Sequence, residues 1–480
     1  MTTGVKYTLH PDTIKRAEKV KPPPLPPPPA KKPRTAPKPV GPFPEPELVQ
    51  GKKSKRATRS ARLESRMKVK DDELGTFVKQ HTRWFLSSGL SPTIKKIRPR
   101  GDLQRNQRHW HPASPLLTHF AKAGVPAVLK SPPWGASLLN ERVIRGSHKS
   151  CYDHLDFIRE ELVDFIRKGF WMVLPYSVVK HLKHLRVAPM GCIEQRARRP
   201  RLICDYSFYG QNKDTLPLYP SHSMQFGRAL ERILYDVRHA NPRYGPCYLS
   251  KVDLSDGFYR VPVNNSAVVR LGVALPCWEG EEQLIAFPLV LPMGWIASPA
   301  SFCAATETVA DLANAKRKDV HLPDHPLSHL AKTPPPPEDE TAQPSTSPAT
   351  MPPVIRLYTK PVDSHDVFID DFCCVIQGQE RRRNQHQQRL FHSIDEVFQP
   401  TDERDGPWRK HVPSVKKLKA GDGCMMTRKV MLGWMINFCT IFVDLRGKTR
   451  VSIKQWHKVL GELRSMALGI PGCKGLFWAL

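Results

Sequence analysis

Apolar side chains at Leu155, Ile158, Leu162, Phe165 and Ile166 fall on one helical face, and their spacing predicts a helix over 151–169 with Gly169 as its stop. Two short β-like runs follow, FWMVLP at 170–175 and PRLICDY at 200–206. The polar, arginine-rich turn EQRARRPR at 194–201 leads into the second. Farther along, YLSKVDLSDGFYRVPV (248–263) sets Leu249, Val252 and Leu254 around Asp253, the pattern of a buried strand ending in a carboxylate. In DVFIDDFCCVI (366–376), apolar runs at 367–369 and 372–376 flank Asp370 and Asp371, which predicts a tight hairpin with two carboxylates at its turn. In FPLVLPMGWIASPASFCAATETVADL (287–312), Ser298 followed by Pro299 predicts a helix start, with Ser298 as N-cap. Phe302, Ala305, Val309 and Leu312 mark one face of that helix. Gly294, just upstream, would let backbone approach a substrate closely.

Two stretches lack this patterning. Residues 1–65 are basic and proline-rich, with KPPPLPPPPA at 21–30, and are expected to be disordered with polyproline II character. Residues 316–354 include TPPPPEDETAQPSTSPATMPP and are expected to form a surface loop insertion, since long loops cost little extra closure entropy. Residues 66–150 carry few strong signals. RHWHP at 108–112 reads as packing or a loop.

Charge narrows the class of partner. The chain has 480 residues, 74 Lys plus Arg, 45 Asp plus Glu and a formal charge of +29. Fourteen basic and four acidic side chains lie in residues 1–60, so most of the excess belongs to the remainder. Such an excess favours a polyanion, nucleic acid first. No stretch approaches the roughly 20 apolar residues of a membrane span. The amino terminus has no apolar run of signal-peptide type, which predicts an intracellular protein, cytoplasmic or nuclear. The 11 cysteines form no CxxC pair and no zinc-finger spacing, so reduced, structural thiols are expected. Adjacent Cys373 and Cys374 suit a strand interior better than a metal cage.

The Asp370–Asp371 pair carries the strongest chemical signal. Like charges within an apolar run are costly unless a cation compensates them. Oxygen-only ligands select Mg²⁺ or Mn²⁺.

The order and content of these segments resemble the palm motifs of reverse transcriptases, RNA-directed DNA polymerases of retroviruses and of LTR-type or DIRS-like retrotransposons. The Asp253 segment is similar to that family's first acidic strand. FIDD at 368–371 is similar to its aromatic-x-Asp-Asp hairpin, and LPMGWIASPASF at 291–302 to its LPxGxxxSPxxF loop and helix. PRLICDYSFYGQN at 200–212 resembles a fingers segment, and KVMLGWMI at 429–436 the primer-grip strand. The resemblance spans roughly residues 150–470.

It implies an α+β right-hand polymerase fold, with fingers at 151–245, a palm of antiparallel sheet backed by helices at 246–440, and the start of a thumb at 441–480, where the chain is expected to be truncated. It implies two ions of Mg²⁺ or Mn²⁺ held by Asp253, Asp370 and Asp371. It also implies a nucleotide site of Arg201, Phe258, Met293 and Gly294, and a primer grip of Leu432, Gly433 and Trp434. Phe258 takes the steric-gate position that excludes a 2′-hydroxyl. Arg201 takes that of the basic residue on the triphosphate. Lys416 or Lys417 is the implied proton donor to pyrophosphate, and Asp205, Asp256 and Asp366 read as structural. The implied partners are an RNA or DNA template with its primer, and dNTPs; no membrane partner is expected. Met293 departs from the glutamine of retroviral members, and the insertion before the Asp pair is unusual. An RNA-dependent RNA polymerase, or a remnant that binds nucleic acid without catalysis, are the competing readings.

Overall fold

The computed structural model describes residues 67–98, 101–107, 109–195, 198–217, 228–318, 322–335, 357–403, 405–432 and 434–437. The expected disordered tail, the later part of the expected insertion and the expected thumb lie outside them.

In chain order the helices are α1 (Glu73–Ser88), α2 (Leu90–Ile97), α3 (Ser114–Ala123), α4 (Ala136–Arg145), α5 (Leu155–Arg167), α6 (Tyr176–Val179), α7 (Gln211–Asp214), α8 (Ala229–His239), α9 (Ala297–Ala315), α10 (Glu380–Val397) and α11 (Val415–Lys419). The strands are β1 (Trp171–Pro175), β2 (Val187–Gln195), β3 (Arg198–Cys204), β4 (Cys247–Asp253), β5 (Gly272–Ala274), β6 (Leu284–Pro288), β7 (Asp363–Phe368), β8 (Asp371–Gln377), β9 (Arg428–Met431) and β10 (Trp434–Asn437). The class is α+β.

Three sheets form. A five-stranded sheet runs β1-β6-β5-β2-β3, antiparallel except for the parallel β2–β5 pair. A three-stranded antiparallel sheet runs β4-β8-β7, and β9 pairs with β10. In β8, Phe372 and Cys374 face the larger apolar core while Cys373 and Val375 face a smaller one. The two-residue alternation of a strand explains why the run is apolar throughout: both faces are covered. Helices α9 and α10 pack on each other, and α9 also packs on β7.

Four helices occupy residues 73–145, where the sequence offered few signals. Asp72 caps the first of them, accepting from Gly75 N at 2.8 Å, and its carboxylate also pairs with Arg159 of α5.

Within the expected insertion at 316–354, residues 316–318 and 322–335 are described. Residues 322–335 fold back onto α10: His325 N donates to Gln388 Oε1 at 2.8 Å, and Leu327 and Ala331 are buried. The chain also returns close to where it left. Asn314, at the end of α9, exchanges two hydrogen bonds with the backbone of His365 in β7, at 2.8 and 2.9 Å.

The helix start at Ser298 needs correcting. The helix begins at Ala297, and Ser298 lies within its first turn with its hydroxyl donating to Pro292 O at 2.7 Å. The hydroxyl ties the preceding loop to the helix and leaves the helix-end amides alone. Proline is tolerated at Pro299 because first-turn amides have no intrahelical acceptor.

Candidate active site

Strand β4 ends on Asp253, which lies directly opposite Asp371, the first residue of β8. Phe368 pairs with Asp371 across the β7–β8 hairpin, so Ile369 and Asp370 form a two-residue turn. Ile369 sits at φ +60, a left-handed conformation that a β-branched side chain adopts only under constraint. That turn brings Asp370 over the end of β4, where its carbonyl accepts from Leu254 N at 3.1 Å. Carboxylate oxygens of Asp253, Asp370 and Asp371 all lie within 4.8 Å of one another. Residues far apart in sequence thus meet in one half-buried cluster.

The cluster is electrostatically crowded. Burial, a hydrogen bond with Asp371 and the negative charge of both neighbours push the Asp253 carboxyl up to about 7, against the opposing pull of Lys417. Burial and Asp371 likewise raise Asp370 above the ordinary carboxylate range. Two lysines answer part of the charge. Lys251 Nζ lies 3.0 Å from Asp371 Oδ1, and Lys417 Nζ lies 3.6 Å from Asp253 Oδ2. Burial alone would lower the Lys251 ammonium, but Asp371 outweighs it and the group is held above its usual range.

Arg260 fixes the loop that follows Asp253. Its buried guanidinium donates to Ser255 O at 2.7 Å, to Lys410 O and His411 O at 3.1 and 2.9 Å, and to Asp102 at 3.1 Å. Beyond it, Ser414 N donates to Asp253 O at 2.8 Å. The segment bearing Lys417 is therefore laced to the backbone of Asp253. Neither Arg260 nor Lys251 stood out in the sequence. Each acts on a partner distant in the chain, which periodicity cannot report.

Phe258 follows Gly257, where an added Cβ would lie 3.5 Å from Asp370 Oδ2. The Phe258 ring is half-buried and meets Phe302 of α9 edge-on, centroids 5.2 Å apart. Arg201, exposed on β3, reaches Met293, with Nη2 3.1 Å from Sδ. Gly294 has φ +97, and a Cβ there would collide with Cys204 O. The close approach that demands glycine is therefore to β3 of this same chain. Asn212 seals the same loop, donating to Gly294 O at 2.9 Å and accepting from Ile296 N at 2.9 Å.

Leu432 occupies the β9–β10 turn at φ +52, and Trp434 opens β10 opposite Met431; Gly433 lies outside the described residues. The segment expected as a single primer-grip strand, 429–436, instead spans both arms of a hairpin and its turn. Asp205, Asp256 and Asp366 pair with His148, Lys410 and Arg232 respectively. Beside Asp256 opens a cleft of about 790 Å³ whose walls include Lys96, Arg167, Lys168 and Lys410. Asp102, Asp402 and Asp405 line it as well, so its walls carry both signs of charge. Among the described residues, no helix is long and apolar enough to cross a membrane.

No protein-family model and no curated protein matches this sequence. Among solved structures, the chain is similar to a foamy viral protease-reverse transcriptase dRH in complex with double-stranded DNA, at 14% identity and a TM-score of 0.37, covering 89% of this chain and 54% of that one. It is also similar to a foamy viral protease-reverse transcriptase in complex with double-stranded DNA, at 14% identity and a TM-score of 0.38, covering 85% of this chain and 61% of that one. The chain thus spans little more than half the length of these proteins, and likeness at this level transfers no activity.

Proposed function

We propose that this chain is a template-directed nucleotidyltransferase that extends a primer 3′-hydroxyl with deoxynucleotides on an RNA template, as a retroelement reverse transcriptase does. One observation carries the reading: Asp253, Asp370 and Asp371 converge within 4.8 Å at the ends of adjacent strands. An oxygen-only set of this kind fits Mg²⁺ or Mn²⁺. When bound there, two such ions supply charge neutralisation for the triphosphate and a more acidic 3′-hydroxyl.

The remaining roles belong to the chain. Without a bound cation, burial and the neighbouring carboxylates raise the Asp253 carboxyl to about 7, and a divalent ion there would oppose that shift. Lys251 and Lys417 keep the carboxylates oriented by pairing with Asp371 and Asp253. Arg201, exposed beside the 291–296 loop, suits bidentate contact with phosphate oxygens. The Phe258 ring, braced by Phe302 next to the carboxylates, suits contact with the sugar edge of an incoming nucleotide. Because phosphoryl transfer asks mainly for positioning and charge stabilisation, these fixed groups are the principal contribution of the fold.

The test is primer extension on an RNA template with dNTPs and Mg²⁺ or Mn²⁺. Wild type extends. Asp370→Asn abolishes extension while primer–template affinity, measured by filter binding, stays within about threefold, since the substitution removes one charge and little surface. Near-normal extension by Asp370→Asn would overturn the carboxylate assignment. Binding without extension by wild type would make the chain a nucleic-acid-binding remnant.

A further inference from the structure

Behind the carboxylate hairpin lies a second cluster of potential ligands, fully enclosed. His365 projects from β7, Cys374 from β8 and His386 from α10, and each is buried. One ring nitrogen from each histidine and the Cys374 Sγ all lie within 4.8 Å of one another.

His386 Nδ1 lies 2.8 Å from Asp363 Oδ1 and 3.2 Å from Arg389 Nη2. Arg389 already donates to the same carboxylate oxygen, and the tautomer that matches the shorter contact has Nδ1–H donating to Asp363. His365 Nε2 lies 3.0 Å from the carbonyl of His386, so it too is the donor. The remaining nitrogens, His365 Nδ1 and His386 Nε2, are lone pairs in a dry interior, and neither has a hydrogen-bond partner. Buried acceptors left this way cost free energy unless something engages them. A carboxylate or backbone carbonyl fixing the far nitrogen of a histidine is the arrangement that presents the near nitrogen to a metal. Burial, reinforced by the positive charge of Arg389, keeps both imidazoles neutral and so able to act as ligands.

We propose that His365, Cys374 and His386 bind one Zn²⁺ ion, which ties helix α10 to both strands of the hairpin that carries Asp370 and Asp371. The donor set is nitrogen and sulfur, which favours zinc over the Mg²⁺ that suits the carboxylates. Ser250, opposite Cys374 across β4 and β8, hydrogen-bonds with the Cys374 side chain. The two rings stack, centroids 3.7 Å apart and 13° from parallel, so one ion meets both in-plane lone pairs only when a ring turns out of the stack. Binding forms an S–Zn bond and releases the Cys374 thiol proton to water. It does not depend on the polymerase reading, because none of its residues belongs to the carboxylate cluster.

The experiment uses the full chain, stripped with a chelator and titrated with Zn²⁺ under excess Mg²⁺. The expected result is one equivalent of zinc. X-ray absorption of that complex should show one sulfur at about 2.3 Å and two nitrogens at about 2.0 Å. Cys374→Ser should weaken binding at least about 100-fold, and Asp363→Asn about 10- to 100-fold. Asp370→Asn should leave it unchanged. No stoichiometric zinc under excess Mg²⁺, or a shell without sulfur, would overturn the proposal. So would full affinity in a folded Cys374→Ser. The wild-type absorption spectrum decides the matter even if that variant fails to fold.

Discussion

Lys251 Nζ lies 3.0 Å from Asp371 Oδ1, across two antiparallel strands that end at the carboxylate cluster. The lysine stands where a cation would otherwise be required. Two carboxylates at adjacent positions, with a third opposite, repel one another unless positive charge is near.

Replacing that lysine should expose the repulsion. Lys251→Met keeps the length of the side chain and removes its charge. Without divalent ions the variant should lose about 1–3 kcal/mol of stability, the range for a lost hydrogen bond to a charged group. Mg²⁺ should then raise Tm more in Lys251→Met than in wild type, because the ion supplies the missing charge. Thermal melts with and without Mg²⁺ measure this. Equal Mg²⁺ effects in the two proteins would remove Lys251 from that role.

The raised Asp253 carboxyl gives stability a definite pH slope. Its folded value of about 7 lies above the ordinary value of 3.8, so the folded state binds the proton more tightly than the unfolded chain does. Stability from this group is therefore full below about pH 4 and is lost as pH rises towards 7. In EDTA, the fall in Tm from pH 5 to 8 should be steeper for wild type than for Asp253→Asn, which cannot ionise. Mg²⁺ affinity should run the opposite way, strengthening over the same interval as the proton leaves. Parallel pH profiles for the two proteins would contradict the raised value.

Under the proposed polymerase reading, sugar choice would fall to Phe258. The ring is braced edge-on by Phe302 and is half-buried, so Phe258→Val should fold with a cost of about 1–2 kcal/mol, below the fully buried range. The ratio of kcat/KM for dNTP to that for rNTP should fall at least about tenfold. An unmoved ratio would make Phe258 a packing residue only.

Gly294 is a backbone requirement. Its φ of +97, and the collision that any added methyl would make with Cys204 O, leave no room for a side chain. Gly294→Ala should cost about 3 kcal/mol or more, combining conformational strain with displacement of β3. Urea denaturation reads the loss. A cost no larger than that of an ordinary surface change, about 0.5 kcal/mol, would show that the loop can move away from β3 at no expense.

Much of the central sheet was legible in the sequence because its strands are covered on both faces. The apolar run of β8 and the apolar residues Leu249, Val252 and Leu254 around Asp253 announce themselves, and a carboxylate in such surroundings stands out. Helix α5 and Gly169 were readable for a similar local reason, a face and a stop. The helices between 73 and 145 were not, because they are partly exposed and their burial is decided by partners distant in the chain, such as Arg159 for the cap of α1. Ser298 misled because a serine before a proline serves equally well as a cap or, as here, as a tether to Pro292 O. Gly294 was recognised as a close approach, but the approaching backbone was unreadable without the fold. His365 and His386 passed unnoticed, since 21 residues of chain separate them and nothing in the spacing shows that their rings meet.

The double hydrogen bond between Asn314 and His365 joins positions 51 residues apart, so the chain between them begins and ends at one place. Within that excursion residues 322–335 are packed, so length can vary cheaply only outside them. Doubling a loop costs only about 0.6 kcal/mol of closure entropy, less than many single substitutions. Relatives sharing this junction could thus differ in length here while the aspartates on either side stay in register. Comparing such chains by an unbroken alignment would pull the two halves of one carboxylate cluster apart. Anchoring each half separately, at Asn314 and at His365, would keep them together.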